Sequence, residues 1–365
     1  MASRALARSI INGRAAASRS STLSLRGTNH FATRKRIDVG ALASDLMAGK
    51  RMALSRAVTL VESSREDHVE AAAELLDTIS SSRASTGKMF RLGLAGPPGA
   101  GKSTLIEALG TSLVKERDMK VAVLAIDPSS SFTGGSIMGD KTRMDELSKL
   151  ANAFVRPSPS RGTLGGIARR THDVVALCEA AGFDLLIVES VGLGQSETMI
   201  DDVVDMTVLV VPPAGGDSLQ GVKRGIMEVA DMVVVNKADG DLMRRARHAA
   251  VDVRHALQLM RRKRRFWKPR VKMCSALDLD SVKAVWEKIE TFRKASEASG
   301  ELHEARAAQR AAQLSSEFER ELLRAVRRDD AFRENAAGME RRVKEGNVLP
   351  RRAAAQLVQG VLKPE

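Results

Sequence analysis

The stretch that most constrains this chain is "GPPGAGKST", residues 96–104, set directly after the apolar run "FRLGLA" and directly before the helical stretch "TLIEALGTSLVKE". It fits G-x-x-x-x-G-K-[ST] through Gly96, Gly101, Lys102 and Ser103. Strand, glycine-rich loop and helix in that order make a phosphate loop. Across Gly96, Pro97, Pro98, Gly99, Ala100, Gly101, Lys102, Ser103 and Thr104, the glycines let backbone N–H groups turn inward around phosphate oxygens. Lys102 adds positive charge at the outer phosphates, and the Ser103 hydroxyl can ligate Mg²⁺.

A phosphate loop needs a parallel sheet behind it, and the chain supplies one. Further apolar runs stand at "KVAVLAID" (120–127), "FDLLIVES" (183–190), "MTVLVVPP" (206–213), "MVVVNK" (232–237) and "RVKMCSA" (270–276). Near-continuous Val, Ile and Leu mark strands buried on both faces, so the expected fold is an α/β P-loop NTPase with a mostly parallel sheet flanked by helices. Helical periodicity before residue 88 and after 292 predicts helical extensions at both ends. The expected organisation is a leader over 1–37, a helical segment over 38–88, a nucleotide domain over 89–292 and a helical arm over 293–365. Pro350 falls near the first turn of a last helix.

Two acids close predicted strands: Asp127 ends "VAVLAID" and Glu189 ends "LLIVE". Carboxylates at the C-terminal edge of a parallel sheet sit where ligands bind and can hold Mg²⁺ directly or through water. "DPSS" after Ile126 would also make a good turn with no metal. Gly192 stands three residues beyond Glu189, where its N–H could meet a terminal phosphate.

"VVVNKADG" (233–240) decides the base. A carboxylate at Asp239 accepts from both N1–H and the exocyclic amine of guanine. Adenine would leave that carboxylate desolvated against a lone pair, a mismatch of several kcal/mol. Lys237 can lay its stem across the base and Asn236 can brace the loop. "CSA" (274–276) follows the last strand, where a backbone N–H at Ser275, Ala276 or Leu277 is placed for the guanine oxygen. GTP is therefore expected over ATP.

Charge is informative by its distribution. The chain carries +13, of which residues 1–37 hold seven Arg, one Lys, six Ser and no acid. An Arg- and Ser-rich, acid-free N-terminus reads as a mitochondrial transit peptide. No apolar run is long enough for a membrane-spanning helix. Cys178 and Cys274 have no metal-pair spacing, and the six histidines are scattered. The run "RRKRRFWKPR" (261–270) could stack bases through Phe266 and Trp267; a solvated surface with the aromatics tucked inward is the plainer expectation, and no nucleic-acid partner is expected.

With these residues assembled, the sequence resembles the MeaB GTPases. The resemblance rests on "TLVESSREDH", "GPPGAGKST", "LAIDPSSSFTGGSIMGDKTRM", "FVRPSPSRGTLGG", "VESVGLGQSE", "PPAGGDSLQGVKRGI", "VVVNKADGD" and "KMCSA". It implies a G protein that binds GTP and GDP with Mg²⁺ and chaperones adenosylcobalamin-dependent methylmalonyl-CoA mutase, gating cofactor loading and protecting or rescuing that enzyme. It implies slow hydrolysis stimulated by the mutase, a homodimer joined through the C-terminal helices, and residence in the mitochondrial matrix. Adenosylcobalamin would be met only through the partner. Carried over by position, Asp127, Asp140 and Glu189 surround Mg²⁺ and the attacking water. Gly192 to Glu197 form one switch, and Asp217 with Lys223 belong to another that influences hydrolysis. Leu193 after Gly192 means that no glutamine follows the glycine to orient water, which fits a slow basal rate. A P-loop small-molecule kinase, a chaperone of another cobalamin-dependent acyl-CoA mutase and a nickel-delivery GTPase are the competing readings.

Overall fold

The computed structural model describes residues 37–82, 87–127, 144–159, 164–190, 200–213 and 224–362. Three helices come first: α1 (Val39–Met47), α2 (Arg51–Glu62) and α3 (Glu66–Ser81). The helical segment expected over 38–88 breaks at Ala48–Lys50, where the N–H of Gly49 and Lys50 turn back to the carbonyls of Leu46 and Asp45. The nucleotide domain follows as β1 (Phe90–Ala95), α4 (Lys102–Arg117), β2 (Val121–Asp127), α5 (Asp145–Lys149), β3 (Ala153–Pro159), α6 (Leu164–Ala180), β4 (Leu185–Ser190), β5 (Met206–Val211), α7 (Arg224–Val229), β6 (Met232–Val235), α8 (Met243–Gln258), β7 (Arg270–Met273) and α9 (Leu279–Ala298). Then come α10 (Glu301–Arg328), α11 (Asp330–Lys344) and α12, which starts at Pro350 and ends at Leu362.

The seven strands form one sheet in the order β3-β2-β4-β1-β5-β6-β7, and every pairing is parallel. Alternation at period two loads both faces. On β5, Met206, Val208 and Val210 enter one core with Leu105, Ile106 and Trp286, while Leu209 and Val211 enter the other with Val253 and Ala246. Each fully buried side chain of this size contributes about 1.5–3 kcal/mol, so both faces must stay covered. Helices α4 and α9 cover the first face; α7 and α8 cover the second, and α1–α3 pack on α6.

β3 is a strand the apolar runs do not predict. "AFVRPSP" carries Arg156 and two prolines, and it pairs with β2 alone. Proline cannot donate to a ladder, so such a sequence is tolerated only at a sheet edge, and β3 occupies one. β6 and β7 are also shorter than their apolar runs, ending before Asn236 and Cys274.

Candidate nucleotide site

The parallel strands all end on one side of the sheet, and the described candidate residues collect there. β1 leads into the phosphate loop, and α4 begins at Lys102. Gly96 has φ 148°, and a Cβ there would lie 2.0 Å from the carbonyl oxygen of Val210 on β5. Gly101 has φ 86°, and a Cβ there would lie 2.5 Å from the side-chain amide nitrogen of Asn236. Both positions demand glycine, and the loop is thereby drawn against the strands behind it. The Lys102 ammonium donates to the carbonyls of Gly96 at 2.7 Å and Pro97 at 3.2 Å. A buried cation is thus folded back over the mouth of the loop. Thr104, Pro98 and Gly99 lie at the surface.

Ser103 follows on the first turn of α4, and its hydroxyl donates to Glu189 Oε1 at 2.9 Å. Glu189 is 3% exposed at the end of β4, with Leu94 of β1 and Ala125 of β2 as its register neighbours. Neighbouring oxygens around an octahedral Mg²⁺ with bonds of about 2.1 Å stand about 3 Å apart, so this hydroxyl and carboxylate fit the donor set that such a cation takes. Asp127 closes β2 beside Glu189's strand. Asp140, Gly192, Asp217 and Lys223 lie outside the described residues.

The segment expected to read the base follows β6 and β7. Asn236 is 1% exposed. Its backbone N–H donates to Val211. Its side-chain amide donates to the carbonyls of Ala100 at 2.9 Å and Gly101 at 3.2 Å. Its Oδ1 accepts from the N–H of Ala276 at 3.2 Å. One side chain therefore joins the phosphate loop to the loop after β7. Lys237 takes φ 56°, which swings the chain out of β6. The Ala238 N–H then donates to Cys274, tying the two loops together again. Ser275 donates to Asp239 Oδ2 at 2.5 Å and accepts from the Leu277 N–H at 3.2 Å. Ser275 thereby holds one oxygen of the Asp239 carboxylate.

Ser281 is a residue that no motif singled out. Its hydroxyl donates to the carbonyls of Ser275 at 2.9 Å and Asp278 at 2.8 Å, and it accepts from the Ser275 N–H at 3.0 Å. It braces the loop from the first turn of α9; a lone serine after "DLD" gives no sequence signal of that. Cys274 packs behind the same loop, and burial raises its thiol pKa.

The basic run after α8 divides. Lys263 contacts Asp201 and lies 3.0 Å from Asp231. Arg264 faces Asp231, and Arg265 pairs with Glu301 and Glu304. Trp267 is buried, with its indole N–H donating to the Asp231 carbonyl at 2.8 Å. The aromatics are tucked inward: Phe266 packs tilted and Trp267 edge-on against Phe292. Among the described residues no group of histidines, cysteines and acids is arranged to hold a metal, and no helix is long and apolar enough to cross a membrane.

Comparison with known proteins places the chain in a family. Residues 54–331 match the family described as methylmalonyl Co-A mutase-associated GTPase MeaB. The mitochondrial methylmalonic aciduria type A homolog of Mus musculus is 44% identical over 327 residues, covering 88% of this chain and 79% of that protein. A putative GTPase of Caulobacter vibrioides is 46% identical over 328 residues, covering 88% of this chain and 97% of that one. Among solved structures, an LAO/AO transport system kinase superposes with TM-score 0.68 at 36% identity, covering 89% of this chain and 98% of that one. The chain belongs to the MeaB family of P-loop GTPases and is homologous to the methylmalonic aciduria type A protein.

Proposed function

We propose that this chain binds GTP with Mg²⁺ between the phosphate loop and the Asn236–Asp239 and Ser275–Leu277 segments, hydrolyses it slowly, and uses the nucleotide state to chaperone methylmalonyl-CoA mutase. In that role it gates adenosylcobalamin loading and protects or reactivates the mutase. The observation that carries the nucleotide assignment is Asn236, which bonds the phosphate loop and the loop after β7 at once. Asp239 then reads the guanine edge, Ser275 and Ala276 flank it, and Leu277 borders the pocket. Lys102 neutralises the outer phosphates. Ser103 and Glu189 would hold Mg²⁺, with Asp127 and Asp140 as further acids; the cation, when bound, spreads the charge on the phosphates. Gly192 and Lys223 belong to the loops that report the nucleotide.

The mutase as client rests on the family resemblance and on the name of the matching family. A homodimer is proposed through α10, where Leu314, Phe318 and Leu322 form a stripe spaced four residues apart and stand 71%, 66% and 49% exposed. Such a row on an outer helix face suits burial against a second copy. The matrix location rests on the acid-free leader and on the mitochondrial designation of the mouse relative.

A small-molecule kinase is the second reading, favoured by the designation of the solved relative. GTP turnover with and without purified methylmalonyl-CoA mutase separates the two. Slow turnover to GDP and phosphate that rises with the mutase supports the chaperone. Phosphate appearing on an added metabolite would replace it with the kinase.

A further inference from the structure

We propose that this chain carries a second anion site, for a small phosphate-bearing ligand, at the end of the sheet opposite the nucleotide loops. A cavity of about 440 Å³ opens between the last turn of α8, the basic run and the start of β7. Four cations line it: Arg254, Arg262, Lys268 and Arg270. Leu257 and Val271 supply apolar wall. Among the described residues no Asp or Glu does so. The nucleotide loops leave the far end of β7; Ser275 is five residues beyond Arg270, roughly 15 Å along an extended chain.

The contrast within one run is the main observation. Lys263, Arg264 and Arg265 are each matched to acids. Arg262, Lys268 and Arg270, from the same run, and Arg254 above them form no ion pair among the described residues. Arg261 also forms no ion pair among the described residues and lies off the cavity, but the other three unpaired cations of the run converge with Arg254 on one concavity. Like charges around one cavity repel, and a bound polyanion relieves that repulsion. Arg270 is also pre-oriented. Its guanidinium stands 5.6 Å from the Trp267 ring centre, and that ring is itself fixed by the bond to Asp231.

The ligand class follows from shape and donor type. The volume is within the range of small-molecule sites. Three of the four cations are arginines, whose planar forks match phosphate oxygens in pairs. The apolar wall can take an uncharged part of the ligand. An extended acidic peptide or an RNA strand would want its cations spread along a groove, whereas these are gathered at one cavity. The site is independent of what the nucleotide does and of which protein is the client.

The test uses the full chain saturated with GDP, with Mg²⁺ in excess, so that the phosphate loop is filled. Pyrophosphate is titrated by calorimetry into wild type, into Arg262→Gln/Arg270→Gln, and into Arg341→Gln/Arg342→Gln, which removes the same charge from α11. The proposal expects saturable one-to-one binding that falls about tenfold or more in the first variant and is unchanged in the second. GDP affinity should be the same in all three, which shows that each is folded. No saturable binding to wild type, or equal weakening in both variants, would reduce the cavity to general surface charge and overturn the proposal. An oligoglutamate peptide that binds the cavity where pyrophosphate does not would overturn the phosphate assignment.

Discussion

The side-chain amide of Asn236 donates to the carbonyl of Ala100 across 2.9 Å, so the end of β6 and the phosphate loop are held as one body. Replacing Asn236 by Ala strips partners from the Ala100 carbonyl and the Ala276 N–H, while the Gly101 carbonyl keeps the Leu105 N–H. Leaving buried groups of this kind unpaired costs about 2–3 kcal/mol. The expected outcome for Asn236→Ala is GDP binding weakened roughly 30- to 100-fold, read by calorimetry.

In the proposed site the choice of base falls to Asp239. Guanine offers an amine at C2, where xanthine offers a carbonyl. The aspartate can only accept, whereas an asparagine in its place can donate to that carbonyl. Asp239→Asn should therefore lose GDP affinity by about two orders of magnitude or more and gain affinity for XDP. Competition between the two nucleotides against a fluorescent analogue measures the exchange. Unchanged preference in the variant would mean that Asp239 does not face the base.

Arg306 on α10 closes the other end of the sheet. It grips both oxygens of Asp205 at 2.7 and 2.6 Å and donates to the carbonyls of Gly87 and Met89. Asp205 is 3% exposed, ahead of β5. Arg306→Ala leaves that carboxylate buried and should destabilise the fold by about 3–5 kcal/mol in urea titration. Adding Asp205→Asn should return part of the loss, since the uncompensated charge is then gone.

His172 makes stability depend on pH. Burial first, then the nearby Arg91 charge, lowers its pKa to about 4, against 6.5 for a free imidazole; Glu317 opposes weakly. The folded state thus prefers the neutral ring. Its contribution is complete above pH 6.5 and is lost as pH falls toward 4. The expected loss between pH 7 and pH 5 is about 2 kcal/mol. His172→Gln should remove that share of the pH dependence in denaturant titrations at the two pH values.

How far the sequence reaches is clear from particular residues. β1, β2, β4, β5 and β6 are legible because their side chains are buried almost throughout and their runs are mostly apolar, Arg91 of β1 being half-buried. The phosphate loop and "NKAD" are legible because their chemistry requires fixed residue types at fixed spacing. β3 is hidden because an edge strand tolerates Pro157 and Arg156. Ser281 is hidden because it acts through backbone groups that any sequence would offer. Lys263 and Arg262 are neighbours of the same charge, yet one is matched to Asp201 and Asp231 and the other opens on a cavity. Only the fold, which brings Asp231 to Lys263, separates them. The Arg306–Asp205 pair spans 101 residues, beyond any local pattern.

The affinity of the purified protein for GDP against ADP tests whether the site built across β1, β6 and β7 is specific for guanine. A site that holds Asp239 and Asn236 in place for guanine should bind GDP at least about a thousandfold more tightly. Comparable affinity for the two would contradict the account, because the Asp239 carboxylate would then have no role in reading the base.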